Sequence, residues 1–418
     1  MKLLVKMKIN EKGFIAILLI IFLCAIGFIF DSTIACRIVT LILIVVCFVN
    51  GHAEKKMLNP FYLFALTPMS LMVYSNISSK YMVDLSVETW LLAIINMGAF
   101  ICALIFGPGY KEKPTCYDVQ ENSKLGTHIL LLSLFGFVPT YLHVFFYISL
   151  PLYSILPLFC GPAVICAFYS KNKKWIAMVL ILTIIPWFVE VTKSNLLRLL
   201  ITLLVLYESK NTLSIKNKTK VFLFSGVVLV IMIAAFTFAN QSRGNRTAED
   251  TLQYFATYSD LEWSAPAVLL APYMYFTTPW ANLQYVVQTQ DTRTYGLWLL
   301  RPFINYLQLD HNFSYQYRLR SISSFNTFSF VATHFKDFGF LGSIFSSILI
   351  GLFVKWVYTR SETTKRPLDI ACYASCAQAV SLMFFSNHFL QVCYPITMVL
   401  FVAIYRLVFC GRIVFGKK

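Results

Sequence analysis

The feature that most constrains this chain is a recurrence: apolar runs of about 20 residues, each separated from the next by a short polar connection. They fall at 14–30, 35–50, 58–77, 87–107, 127–147, 151–169, 175–192, 194–208, 220–239, 338–358, 368–386 and 389–409. A helix of that length rises about 30 Å, the thickness of a bilayer's hydrocarbon core, and satisfies its backbone hydrogen bonds internally. A soluble core has no use for so many such runs, and 58% of the chain is hydrophobic with only 13% charged. The expected fold is all-α, a polytopic integral membrane protein with about 12 transmembrane helices. The run at 14–30 follows Lys2, Lys6, Lys8 and Lys12, in the manner of a signal peptide. It is longer than a signal core and no A-x-A site follows, so it reads as a retained first span.

Lys and Arg outnumber Asp and Glu by 35 to 19. The excess sits in alternate connections (Lys55/Lys56, Lys111/Lys113/Lys124, Lys171/Lys173/Lys174, Lys210/Lys216/Lys218/Lys220, Lys355/Arg360/Lys365/Arg366) and at both ends of the chain. The connections between them, at 31–37, 78–88, 150–151 and 190–193, are poor in charge. This is the positive-inside pattern, and it puts both termini in the cytoplasm. The basic balance is thereby accounted for by topology, and no nucleic acid is expected as a partner. The eleven cysteines lie mostly within spans and show no CxxC or Cys/His ligand spacing. They read as small apolar side chains, and no metal or cofactor is expected.

One stretch departs from this plan. Residues 240–337 hold seven Lys/Arg and seven Asp/Glu, mixed with amides, histidines and aromatics. The chain divides accordingly into a nine-span membrane region (1–239), a large external loop (240–337) and three C-terminal spans (338–418). Within the loop, 264–288 is long enough to span, but Pro266, Pro272 and Pro279 suit a helix-loop-helix that dips into or lies on the outer face. No connection on the basic side exceeds about twenty residues, and neither G-x-x-x-x-G-K-[ST] nor G-x-G-x-x-G occurs. Any chemistry must therefore draw on a substrate already energised within the membrane.

Four groups of residues are candidates for that chemistry. Arg243 and Arg246, three residues apart just outside the ninth span, offer two guanidinium forks to a phosphate or diphosphate; as an alternative they are interfacial anchors. Arg198, in KSNLLRLL, lies about 6 Å inside a span, where a cation normally has a partner or a polar cavity. Glu190 is the structural candidate for that partner, and an anionic headgroup is the functional one. In FNTFSFVATHFKDFG a helical projection brings Asn326, His334 and Asp337 to one side. A carboxylate or imidazole there could accept a proton from a sugar hydroxyl, or Asp337 could simply cap or pair. Finally, the Tyr and Trp residues between 254 and 317 suit sugar stacking or an interfacial belt.

The order of these parts resembles the Wzy-type oligosaccharide repeat-unit polymerases of O-antigen and capsular polysaccharide synthesis. The likeness covers most of the chain as architecture. Locally it rests on KSNLLRLL, on SRGNR after the next span, on TPWANLQ, and above all on the Asn-Thr…Asp-x-Gly of FNTFSFVATHFKDFG. The resemblance implies a glycosyltransferase of the bacterial cytoplasmic membrane that joins undecaprenyl-diphosphate-linked repeat units on the outer face, using one lipid-linked oligosaccharide as donor and another as acceptor. It implies that Arg198, Arg243 and Arg246 hold the donor diphosphate, with Arg301, Arg318 and Arg320 as weaker candidates for the acceptor's. His334 or Asp337 would orient or deprotonate the acceptor hydroxyl, and Trp280, Asn282 and Asn326 would contact sugar. It also implies a repeat-unit flippase and a chain-length regulator as partners, and no nucleotide or metal. An O-antigen-type ligase would use the same donor with another acceptor. A flippase or other transporter would set its charges near the midplane, often in two related halves, and no such halves are seen here.

Overall fold

The computed structural model describes residues 32–54, 56–74, 84–110, 125–148, 156–190, 193–210, 249–250, 253, 266–289, 293–306, 327–390 and 393–409. These residues form helices and turns, with no strand among them. The helices are α1 (Thr33–Ala53), α2 (Pro60–Tyr74), α3 (Val87–Phe106), α4 (Leu125–Phe146), α5 (Cys160–Tyr169, after a 3-10 turn at Leu156–Phe159), α6 (Lys173–Glu190) and α7 (Lys193–Lys210). They continue with α8 (Leu270–Thr289), α9 (Leu297–Tyr306), α10 (Phe330–Thr364), α11 (Pro367–Ser381) and α12 (Tyr394–Phe409). The expected spans at 14–30 and 220–239 lie outside the described residues, as does the boundary at 239/240. Every other expected span falls on one of these helices.

Four of the described helices, α1, α3, α4 and α10, are long and apolar enough to cross a membrane. Their burial has the sense that a lipid solvent imposes. On α10, Leu341 (79% exposed), Phe345 (61%) and Leu349 (50%) face outward, while Ser343 and Ser347 on the opposite face are fully buried. α1, α4 and α12 likewise turn outward Val45, Leu134 and Leu407. Small residues let the backbones approach inside the bundle, where apolar side chains gain little by leaving lipid. Ser343, Ser347 and Gly351, spaced by four, line the face of α10 that packs on α3. A Cβ on Gly351 would stand 2.6 Å from Ala103 Cβ and 2.8 Å from the Phe100 carbonyl. α11, rich in Ala, Cys and Ser, is buried on nearly every residue and packs against α2, α5, α7, α10 and α12.

Three departures from the sequence expectation bear on the site. First, 266–289 is no helix-loop-helix: after Pro266 and a 3-10 turn, α8 runs unbroken through Pro279. Pro272 falls in its first turn, where the missing N–H costs nothing. Pro279 is tolerated because α8 is covered by α2, α3 and α10. Part of the expected external loop thus sits within the bundle. Second, α10 is two limbs joined at Gly339, whose φ of 69° and ψ of −163° belong to glycine alone. His334 Nδ1 lies 3.5 Å from Ser347 Oγ. In a straight helix those residues would be about 20 Å apart. The limb 330–338 therefore folds back beside the long limb, and His334 reaches roughly 12 Å below the corner. Third, α11 stops at Ser381, short of the expected 386, so irregular backbone follows from Leu382. The Phe330 N–H donates to the Met383 carbonyl (2.9 Å), which sets this irregular segment beside the folded-back limb.

The two sets of connections gather at opposite ends. At the end read from sequence as cytoplasmic, Lys56 pairs with Glu362, Lys355 with Glu54, and Asp369 with both Arg360 (3.0 Å) and Arg406 (2.8 Å). Glu208 accepts from the Met57 and Leu58 N–H groups. At the other end the described residues form no ion pair, and several links join neutral groups. The Ser86 N–H donates to Gln284 Oε1 (2.9 Å), Asn282 to the Thr327 carbonyl (2.7 Å), and Asn387 to Thr333 Oγ1 (2.6 Å).

Candidate functional site

Of the residues expected to carry function, Arg243, Arg246, Arg318, Arg320 and Asn326 lie outside the described residues. The others divide between packing and two candidate clusters at the end away from the ion pairs.

Trp280 and Asn282 belong to the packing. The Trp280 ring is fully buried and its Nε1–H donates to Ser70 Oγ (2.9 Å). Asn282 is also fully buried and spends its amide on Thr327. Neither has a face left for a sugar, which corrects the expectation from TPWANLQ. His334 is fully buried against Phe330 and the α3–α10 seam, where Ser347 donates to Asn96 Oδ1 (2.7 Å) and Asn96 to Ser343 Oγ (3.1 Å). Its Nε2 has no hydrogen-bond partner among the described residues. The projection that placed Asn326, His334 and Asp337 together assumed a helix running from 326. Residues 327–329 are not helical, so that common face does not form.

The first cluster surrounds the Gly339 corner. The carboxylate of Asp337, 1% exposed, caps α9. It accepts from Thr294 Oγ1, from the Trp298 N–H (3.0 Å) and from the Leu299 N–H (2.8 Å). An anion at a helix N-terminus is stabilised by the free N–H groups and by the helix dipole. These three donors hold the carboxylate on α9. Two arginines flank it. Arg293 lies over the Phe335 ring (4.1 Å) and donates to the Phe335 carbonyl (3.0 Å). Arg301, one turn into α9, lies over the Trp298 ring (4.5 Å).

The second cluster is built on Arg198, in the second turn of α7. Its guanidinium carbon lies 4.7 Å above the Tyr394 ring, at the start of α12. The imidazole of His388 stacks on the same tyrosine at 5.9 Å, tilted by 28°. Arg198 forms no ion pair among the described residues, and its Nε is buried without a partner. Its own carbonyl accepts from Thr202 Oγ1 (2.7 Å). Beside it opens a cleft of about 50 Å³ lined by Thr140, Cys160, Thr183, Pro186 and Thr202. That volume admits a few waters or one small polar group, not a sugar ring. His388 was missed from sequence, although Ser386-Asn387-His388 interrupting two apolar runs was the available signal. Arg293 was missed because one more arginine in a mixed-charge stretch carries no mark.

The described residues define a class: a helical membrane protein with irregular backbone inside the bundle and an arginine there that pairs with no described carboxylate. No group of three or more His, Cys, Asp or Glu side chains is placed to hold a metal among the described residues. Beyond the class, no family model, no curated protein and no solved structure matches this chain.

Proposed function

We propose that the chain is a membrane glycosyltransferase that polymerises undecaprenyl-diphosphate-linked oligosaccharide repeat units into O-antigen or capsular polysaccharide. It would act on the outer face of a bacterial cytoplasmic membrane, with both termini inside. The observation that carries this reading is Arg198, a guanidinium within an apolar bundle that no described carboxylate neutralises. Such a cation is costly unless an anion arrives, and a lipid diphosphate is an anion delivered along the membrane. Arg198 would bind the donor diphosphate with Arg243 and Arg246, and the developing negative charge would leave onto that phosphate. Asp337, engaged on α9, is assigned to holding the segment that carries Arg293 and Arg301 rather than to proton transfer.

Deleting the gene and sizing the surface polysaccharide tests the reading. Loss of the polymer ladder with survival of a single repeat unit is the expected result. Loss of all surface sugar with accumulation of lipid-linked units would replace it with a ligase or flippase, and an unchanged ladder would refute all three.

A further inference from the structure

His388 stands in backbone that is irregular although it lies within the depth of the bundle. Lys365 turns the chain at the charged end, and α11, with 15 residues, rises about 22 Å from there, less than a hydrocarbon core. The long limb of α10, from 340 to 364, rises about 37 Å over the same path. The segment after Ser381 therefore begins well below the Gly339 corner. Non-helical backbone at such a depth is tolerated where protein buries it, or where it lines a polar site. Here its conformation is fixed by Asn387, whose Oδ1 accepts from the Phe389 and Leu390 N–H groups (3.2 Å each), while its Nδ2 donates to Thr333. The next residue, His388, is left with both ring nitrogens unpartnered among the described residues, at 9% exposure.

A buried imidazole with neither nitrogen satisfied forfeits roughly 1–3 kcal/mol for each polar group. The chain could remove that penalty with any apolar side chain. What it has instead is a donor-bearing ring and, on the same tyrosine, a guanidinium that pairs with no carboxylate among the described residues. The two groups are at most the sum of 4.7 and 5.9 Å apart. A diphosphate can span a gap up to that limit, taking a charge-assisted hydrogen bond from the guanidinium and an N–H from the imidazole.

We propose that His388, with Arg198 and Tyr394, completes a binding site for the phosphate-bearing headgroup of a membrane lipid. This rests on the functional reading above for Arg198, and it adds a group that the reading did not contain. The imidazole supplies one ring N–H to a phosphate oxygen. Tyr394 spaces the two donors. Asn387 positions His388 by pinning the segment to the limb that carries Thr333.

The test uses the full-length protein in lipid nanodiscs, with binding of a long-chain polyprenyl diphosphate read by native mass spectrometry and inorganic pyrophosphate offered as a separate probe. Arg198→Gln is expected to weaken polyprenyl diphosphate binding about tenfold to a hundredfold, and His388→Leu about tenfold. His388→Gln, which keeps an N–H donor, is expected to recover part of the loss, an outcome that a merely structural role for the ring would not produce. Binding of pyrophosphate with the same dependence on both residues would assign the site to phosphate chemistry regardless of the lipid. Binding of the lipid alone would assign it to a membrane-borne ligand. Wild-type affinity in both Arg198→Gln and His388→Leu, or equal loss in His388→Gln and His388→Leu, would overturn the proposal. No polymer forms in this experiment, so an unchanged ladder on gene deletion and an unchanged affinity here are separate results and refute separate claims.

Discussion

Replacing Asp337 tests whether this carboxylate positions α9 or takes a proton. Asp337→Ala removes the acceptor of the Trp298 and Leu299 N–H groups and of the Thr294 hydroxyl. Loss of an N-cap costs about 0.5–2 kcal/mol, and loss of the negative charge at a partly buried helix terminus adds about 1 kcal/mol. A total of about 1.5–3 kcal/mol corresponds to a roughly 10- to 150-fold increase in local opening of the 294–306 segment. Asp337→Asn keeps one acceptor oxygen and should lose roughly half of that. Hydrogen exchange of the 294–306 amides in detergent, compared with amides in α3, reads the effect directly. Polymer formation should track it, abolished or nearly so in Ala and partly retained in Asn. Unchanged exchange in Asp337→Ala would refute the capping argument. Full loss of polymer in Asp337→Asn, with wild-type exchange, would return the carboxylate to a role in proton transfer.

Other perturbations read other parts of the fold. Gly339→Ala meets a φ of 69° and a Cβ 3.3 Å from Arg293 Nε; a cost of about 1–3 kcal/mol should lower the melting temperature in detergent, and an unchanged melt would deny the corner. Trp280→Phe removes the donor to Ser70 and part of a fully buried ring. It should destabilise by about 1–3 kcal/mol yet leave the size of any polymer unaltered, whereas a shortened polymer in a stable protein would restore a sugar-contact role. Asp369→Ala leaves Arg360 and Arg406 facing each other without their carboxylate. About 3 kcal/mol should be lost, visible as a reduced yield of monodisperse protein.

The helices were legible where burial in lipid writes directly on sequence: a run of apolar residues has the same meaning whatever packs on it. Arg198 was legible for the same reason, since a cation in such a run contradicts its surroundings. The corner at Gly339 was not, because a helical wheel presupposes the straight helix that a single φ undoes. Nor was the assignment of Asp337, whose donors lie about forty residues earlier in a stretch that read as polar loop. Trp280 and Asn282 looked like sugar contacts because an amphipathic side chain in sequence does not reveal whether its polar tip meets water or a serine on another helix. His388 needed two distant facts at once: the early end of α11, and the meeting of Tyr394 with α7.

The contrast between the two ends of the bundle carries the argument furthest. Where the chain draws arginines inward at the charged end, it supplies Asp369 between them, 3% exposed and bonded to both Arg360 and Arg406 as well as Thr364. Among the described residues Arg198 meets no such carboxylate; it meets the ring of Tyr394, on which His388 also stacks. A cation–π contact contributes about 0.5–2 kcal/mol, less than the cost of holding an arginine at depth. On the proposed reading that deficit is relieved when an anion binds, so what the described bundle forgoes in stability the site gains in affinity. Inserting a carboxylate by Thr202→Asp, one turn from Arg198, should therefore raise the melting temperature while abolishing binding of a polyprenyl diphosphate. A rise in both would mean that Arg198 is an unsatisfied structural residue and that the anion is held elsewhere.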